Sequence, residues 1–384
     1  MKAKYLLGFT IAILTLTGCS HRCTSPTVAG HPADTVREYR MQHAELLSME
    51  ELHHGRTLCR IEDPWHSGRV MMQYLLVPDT DTNWSESEEQ RLSQDYGASI
   101  VLRTPLKRMA LTSGCHAWLL SQLGALDRVA VMCDTAYVMA DTVRRWMRSR
   151  KTDGTPTVLD GGLATAPNAE VLMAAGCDAL WVNPYENASL PGMAGLPIPI
   201  IYCAEYMESD PLARAEWMRF FGRLVGRGEE ADALFEAIER RYNAARRDST
   251  TRQTILAELP FGATWYVPGG ASTSARLYAD AGFSYPWADD SHAGSLALSH
   301  ESVLAKAQQC DLWLIKYMNA DHDWSLSELL VQSPLFAQFH AAQQGNVWGC
   351  NTARSDFFDV TPFRPDSLLE SLTRQDGAFF KRLE

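Results

Sequence analysis

The chain has 384 residues, 46 % hydrophobic and 21 % charged, the balance of a folded globular protein with room for two lobes. A net charge of −11 without a basic stripe excludes nucleic acid as the expected partner. Nine cysteines are scattered without a C-x-x-C pair, which argues against a zinc ribbon or a thioredoxin-type site. Several of them, such as Cys133 and Cys203, end apolar runs and read as small buried side chains. Disulfides are allowed in an oxidising compartment, but spacing does not pair them.

In chain order, Met1–Lys4 is positive, Tyr5–Leu16 is apolar, and Leu16-Thr17-Gly18-Cys19 follows. This arrangement predicts a cleaved signal over residues 1–18, too short to span a membrane as an ordinary helix. The tetrad resembles a bacterial lipobox, which implies a lipid anchor on Cys19 and a body on the periplasmic or cell-surface side of a membrane. An ordinary secretory signal is the alternative. No later run is long and apolar enough for a second membrane segment. Residues 20–34 read as a polar tether. Thr57–Ile61 and Val70–Val77 read as strands around a turn at Asp63-Pro64 and Ser67-Gly68, and 79–97 reads as a loop.

From about residue 100 the pattern becomes alternating β and α. Strands are expected at 108–112, 128–133, 179–182 and 198–202, and helices at 115–123 and from 169 onward. Asp210-Pro211 starts a helix carrying Trp217, Phe220, Phe221 and Leu224. Gly226-Arg227-Gly228 interrupts it, and a second helix is expected from Glu229 to about 247, long enough at about 28 Å to cross between lobes. Strands at 264–267, 311–315 and 346–348 alternate with helices at 274–281, 301–308 and 366–373. Short apolar strands separated by helices predict parallel sheets covered on both faces.

Over residues 105–375 these pieces, in order, resemble the substrate-binding lipoproteins of ABC importers for ferric siderophores, haem and cobalamin. The resemblance rests on Arg108–Ser113 with His116 and Leu123-Gly124, and on Pro167–Leu172 with Gly176–Val182, where Gly-Cys stands in place of the usual Lys-Pro. It also rests on Leu196–Ile200, Glu208–Trp217 and Leu298–Leu304. It implies two α/β lobes with parallel sheets flanked by helices and bridged by one long helix, the class III periplasmic binding protein architecture. The expected division is 1–18 signal, 19–104 tether and β-containing addition, 105–228 first lobe, 229–248 bridge and 249–384 second lobe. The resemblance does not reach the residues before about 104.

The resemblance also assigns roles. Glu170 and Glu301, each in the first turn of a helix in a different lobe, match glutamates that dock onto arginines of the permease. On the residues alone, each is equally an acid favoured at a helix start. Ligand is expected at the C-terminal ends of the strands, and the candidates are His116, Tyr185, Tyr266, Trp287 and Arg354. A lone histidine such as His116 is more often a cap or core residue than an iron ligand. Tyr266 and Trp287 either face ligand or pack, and Arg354 pairs either with an anionic chelate or with a surface carboxylate. No G-x-S-x-G, Walker loop or H-E-x-x-H is present, so no catalytic residue and no resident cofactor are expected.

The function implied is capture of a ferric siderophore, haem or cobalamin in the cleft between the two lobes and its delivery to an ABC permease. Alternatives are a zinc or manganese receptor, which needs about three converging histidines, and a scavenging lipoprotein without a permease.

Overall fold

The structure is a computed structural model that describes residues 35–39, 41–82, 85–186, 192–193, 195–247 and 253–384. The expected signal, Cys19 and the tether lie outside the described residues.

The chain opens with β1 (Thr35–Tyr39), β2 (Leu47–Leu52), β3 (Thr57–Glu62), β4 (Val70–Pro78), α1 (Glu86–Tyr96) and β5 (Ile100–Thr104). These strands form one five-stranded sheet in the order β1-β2-β3-β4-β5, antiparallel except for the β4–β5 pair. The stretch read as a loop at 79–97 therefore contains a helix. Among the described side chains of α1, Leu92 and Tyr96 are the buried ones, one turn apart, so its sequence carries little apolar periodicity. Its ends are signalled instead by Ser85, whose hydroxyl accepts the Glu88 N–H, and by Gly97, which closes the helix at φ +62°.

The first α/β unit follows: β6 (Met109–Leu111), α2 (Gly114–Gln122), β7 (Val129–Met132), α3 (Asp141–Arg148), β8 (Leu159–Asp160), a small hairpin of β9 (Gly162–Leu163) and β10 (Ala166–Pro167), α4 (Ala169–Ala174), β11 (Ala179–Val182) and β12 (Ile200–Tyr202). Its parallel sheet runs β12-β11-β6-β7-β8. The next helix divides at Trp217 into α5 (Pro211–Glu216) and α6 (Met218–Leu224), because Phe220 N–H and Phe221 N–H both bond the Trp217 carbonyl. Asp210 caps α5 through the Leu212 N–H, with proline at the first helical position. After the glycine break, α7 runs from Gly228 to Ala245, 18 residues.

The second unit comprises β13 (Ile255–Ala257), β14 (Pro260–Phe261), β15 (Thr264–Pro268), α8 (Thr273–Asp280), β16 (Ser295–Ser299), α9 (His300–Ala307), β17 (Leu312–Tyr317), α10 (Leu326–Gln332), α11 (His340–Gln343), β18 (Val347–Asn351), α12 (Phe357–Val360), α13 (Pro365–Arg374) and β19 (Lys381–Arg382). Its main sheet is β13-β17-β18-β19, parallel except at the β19 edge, beside a three-stranded antiparallel β14-β15-β16 sheet.

Two large apolar cores result. One joins Leu47, Ile61 and Tyr74 of the N-terminal sheet to Leu111, Trp181, Trp217 and Phe221 of the first unit. The other gathers Trp265, Trp313 and Phe339 of the second. The seven cysteines among the described residues are all buried and form no disulfide. Among the described residues no helix is long and apolar enough to cross a membrane.

Candidate functional site

The parallel strands of the first sheet end together. Thr112-Ser113 follow β6, Asp134 follows β7, Asn183-Pro184-Tyr185 follow β11, and Tyr202 ends β12. These residues border a cavity of about 790 Å³, the position at which open α/β sheets bind ligands. Its floor is held by hydrogen bonds between strand ends. The Thr112 hydroxyl donates to the Trp181 carbonyl at 2.9 Å, and the Asn183 amide donates to the Cys203 carbonyl at 3.1 Å. The opposite wall comes from the N-terminal sheet: Trp65, His66 and Arg69 of the β3–β4 turn, and Met71 and Met72 of β4. Tyr74 locks this wall in place. Its hydroxyl donates to the Ile200 carbonyl and accepts from the Tyr202 N–H, both at 2.9 Å.

A second cavity, about 930 Å³, lies between the start of α3 (Met139, Asp141, Arg144) and the second unit, where Tyr317, Asn351 and Arg354 face it. Tyr317 and Trp324 stack in its wall, ring centroids 4.3 Å apart. Beside it, Asp359 of α12 accepts the N–H groups of Met139 and Ala140 at 2.6 and 2.7 Å. This contact ties the two units together.

The expected ligand residues divide. Tyr185 is exposed and borders the first cavity. Arg354 borders the second, with its guanidinium donating to the carbonyls of Ala320 and Asp321 at 3.2 and 3.1 Å. Tyr266 is half-exposed on β15 but lines neither.

Two candidates are corrected. His116 is 0 % exposed: Nε2 lies 3.2 Å from Glu205 Oε1 under the rings of Trp181, Phe221 and Phe363, so it is a core residue and faces no ligand. Its companion Cys115 is buried too, and burial pushes that thiol up to about 12. Trp287 is also buried, packed at 5.5 Å against Tyr285, because the Tyr285–Asp290 segment folds back into the second core despite its irregular backbone. Glu170 and Glu301 are exposed in the first turns of α4 and α9, whose caps are Asn168 and Ser299. The Glu301 carboxyl is held below the usual range by its own backbone N–H and by the Ser299 hydroxyl.

Sequence reading missed the coupling of the N-terminal sheet to the rest. Glu216, fully buried, accepts the backbone N–H groups of Gln42, His43 and Ala44 at 2.8–3.1 Å. Glu208 accepts those of Glu45 and Leu46 at 3.1 and 3.0 Å, and the Trp217 indole at 2.9 Å. Burial raises the Glu208 carboxyl against the lowering effect of these bonds. The Glu208–Trp217 block is thus a socket for residues 42–46. The wall residues Trp65 and His66 were passed over as part of a turn, although an indole and an imidazole in a seven-residue β-turn segment are themselves a signal of contact.

Residues 199–352 match the periplasmic binding protein family model. An uncharacterized lipoprotein of Methanocaldococcus jannaschii is 23 % identical over 309 residues, covering 78 % of this chain and 71 % of that protein. Among solved structures, a protein of the ABC-type Fe3+-hydroxamate transport system from Saccharomonospora viridis superposes with a TM-score of 0.53 at 19 % identity, covering 71 % of this chain and 94 % of that one. A periplasmic haem-binding protein from Pseudomonas aeruginosa gives 0.54 at 17 % identity, covering 73 % and 95 %. The chain has the class III periplasmic binding protein fold, and over residues 199–352 its sequence matches the periplasmic binding protein family model.

Proposed function

We propose that this protein captures a metal complex, a ferric siderophore, haem or cobalamin, outside the cytoplasm and hands it to an ABC permease. The observation that carries the reading is the cavity at the C-terminal strand ends of the first sheet. It is lined by Tyr185, Tyr202, Trp65 and methionines, on the first unit and the N-terminal sheet rather than between the two lobes as the resemblance implies, in a two-unit fold bridged by α7. Its size is in the usual range for small-molecule sites, and its mixture of apolar walls with a few polar groups suits a bulky chelate. The names of the similar structures, an Fe3+-hydroxamate system and a haem-binding protein, support the cargo class. The lipobox-like start and the lipoprotein relative support a lipid-anchored, extracytoplasmic location through Cys19.

The test is calorimetric and absorbance titration of the detergent-solubilised full chain with haemin, a ferric hydroxamate siderophore and cobalamin. Saturable one-to-one binding of one class is expected, and failure with all three refutes the reading. Permease docking through Glu170 and Glu301 is tested separately by Glu170→Lys with Glu301→Lys. Cargo affinity should persist while uptake is lost, because charge pairs at a docking face orient partners rather than hold cargo. Uptake at the unmodified rate refutes docking through these two glutamates. The zinc or manganese reading draws no support from the described residues: the His/Cys/carboxylate group that comes together is Cys115, His116 and Glu205, which is sealed in the core.

A further inference from the structure

The N-terminal sheet is an addition to the two-lobed fold, yet it supplies one whole wall of the first cavity. Within that wall one side chain is prepared as a donor. Asp63 opens the β3–β4 turn, and its Oδ1 accepts the N–H groups of Trp65 and His66 at 2.9 and 3.2 Å. Its Oδ2 lies 3.1 Å from Nδ1 of His66. An ionised carboxylate only accepts, so in the neutral ring the nitrogen facing it carries the proton and the lone pair is left on Nε2. A carboxylate that orients an imidazole in this way is the usual second partner of a metal-binding histidine. His66 is half-exposed on the cavity wall, with Tyr185 and Tyr202 across from the N-terminal sheet and Arg69 on the same turn.

This donor set discriminates between cargo chemistries. A hexadentate ferric siderophore already fills the iron coordination sphere with its own oxygens and leaves no position for an imidazole. An iron tetrapyrrole leaves axial positions open, which imidazole or phenolate takes, and its carboxylates suit an arginine. Trp65 and the two β4 methionines provide flat or adaptable apolar surface for a planar ring.

Building on the function proposed above, we infer that the N-terminal sheet is part of the binding site and that His66, oriented by Asp63, is an axial ligand to the iron of a bound iron tetrapyrrole. The strand after the turn is tied to the first sheet through Tyr74, and the segment before β2 through the Glu208 and Glu216 socket, so the turn projects from a braced sheet rather than from a free lid.

The test is titration of the detergent-solubilised full chain with ferric haemin, followed by its absorption spectrum, against His66→Ala and Asp63→Asn. Both substitutions lie on a turn where the His66 side chain is half-exposed, and circular dichroism verifies the fold. The expected result is saturable binding by the unmodified chain. His66→Ala should lower the affinity by on the order of tenfold or more and shift the Soret band to that of a complex lacking the imidazole. Asp63→Asn should shift the band with a smaller loss of affinity. Three outcomes overturn the proposal. If haemin binds but His66→Ala leaves spectrum and affinity unchanged, this assignment fails while the capture function stands. If a ferric siderophore binds and haemin does not, the assignment fails and the importer reading is strengthened. If haemin, the siderophore and cobalamin all fail to bind, both fall.

Discussion

Glu216→Ala should cost about 3–5 kcal/mol of folding stability, the range for removing one partner of a buried charged group. Glu216 is fully buried, and its two oxygens receive three backbone N–H groups, from Gln42, His43 and Ala44. Hydrogen bonds to a charged acceptor contribute roughly 1.5–3 kcal/mol each, and water reaching the partly exposed 42–44 segment offsets part of their loss. Glu216→Gln keeps one carbonyl acceptor and should cost about 1–2 kcal/mol. Leu47, Ile61 and Tyr74 share a core with Trp217, Phe220 and Phe221, so the loss should appear in the single main transition of a urea titration followed by tryptophan fluorescence. Hydrogen exchange in β2 and β3 should rise in parallel with that of α6. A stability within about 1 kcal/mol of the unmodified chain, less than the loss of one such hydrogen bond, would refute the socket. So would an early separate transition of the N-terminal sheet that leaves the rest intact.

Asp359 gives a pH test of the contact between the units. Burial raises its carboxyl above the usual range, outweighing the two N–H groups it accepts from Ala140 and Met139. The folded state therefore holds this proton at a pH where the unfolded chain has released it. That stabilisation is complete below the unfolded value, near 3.9, and is lost as pH rises through the folded value. The stability difference between the unmodified chain and Asp359→Asn, measured by urea titration, should become less favourable to the aspartate from about pH 4 to 7; a constant difference contradicts the assignment. Gly114→Ala acts on the same contact from the other side. Its Cβ would stand 2.2 Å from Asp359 Oδ1, so the thermal midpoint should fall, and an unchanged midpoint refutes the crowding. His116→Ala leaves Glu205 buried without its partner and should destabilise by about 3–5 kcal/mol in urea, with the cargo affinity of the remaining folded protein unchanged. An altered cargo affinity would return His116 to the binding site.

Much of the α/β alternation was legible because its signals are local. Asp210-Pro211, Asn168 and Ser299 cap where a helix-start pattern predicts, and buried strands such as Ala179–Val182 are uninterrupted apolar runs. What was not legible depends on contacts far apart in the chain. Glu208 and Glu216 stand in the sequence only as ends of the Glu208–Trp217 block, and their role shows once the 42–46 segment, more than 160 residues earlier, is placed against them. His116 and Trp287 fail as ligands for the same reason. The groups that bury them, Phe221 and Phe363 for one and the second core for the other, arrive from elsewhere in the chain. Tyr185 borders the first cavity because a residue just beyond a buried strand end is positioned by the strand itself.

The same long-range contacts determine how far the two units can move. Helix α7, about 27 Å long by its 18 residues, is gripped at both ends. Ala231, Phe235 and Ile238 are buried in the first core, while Tyr242 enters the second and donates to Asp280 at 2.8 Å. Arg241 adds a 2.6 Å ion pair to Asp366 of α13. Phe363, from the second unit's own stretch of chain, is fully buried in the first core, and Asp359 bonds across beside it. A wide hinge would have to withdraw Phe363 and break both Asp359 bonds. Deleting a buried phenylalanine side chain costs about 3–5 kcal/mol, a large share of a typical folding stability. Cargo binding should therefore change the solution-scattering curve little, with adjustment confined to side chains at the cavity and to the β3–β4 turn. A marked contraction on saturation with cargo would show that Phe363 and Asp359 let go, and the rigid-strut argument would then be wrong.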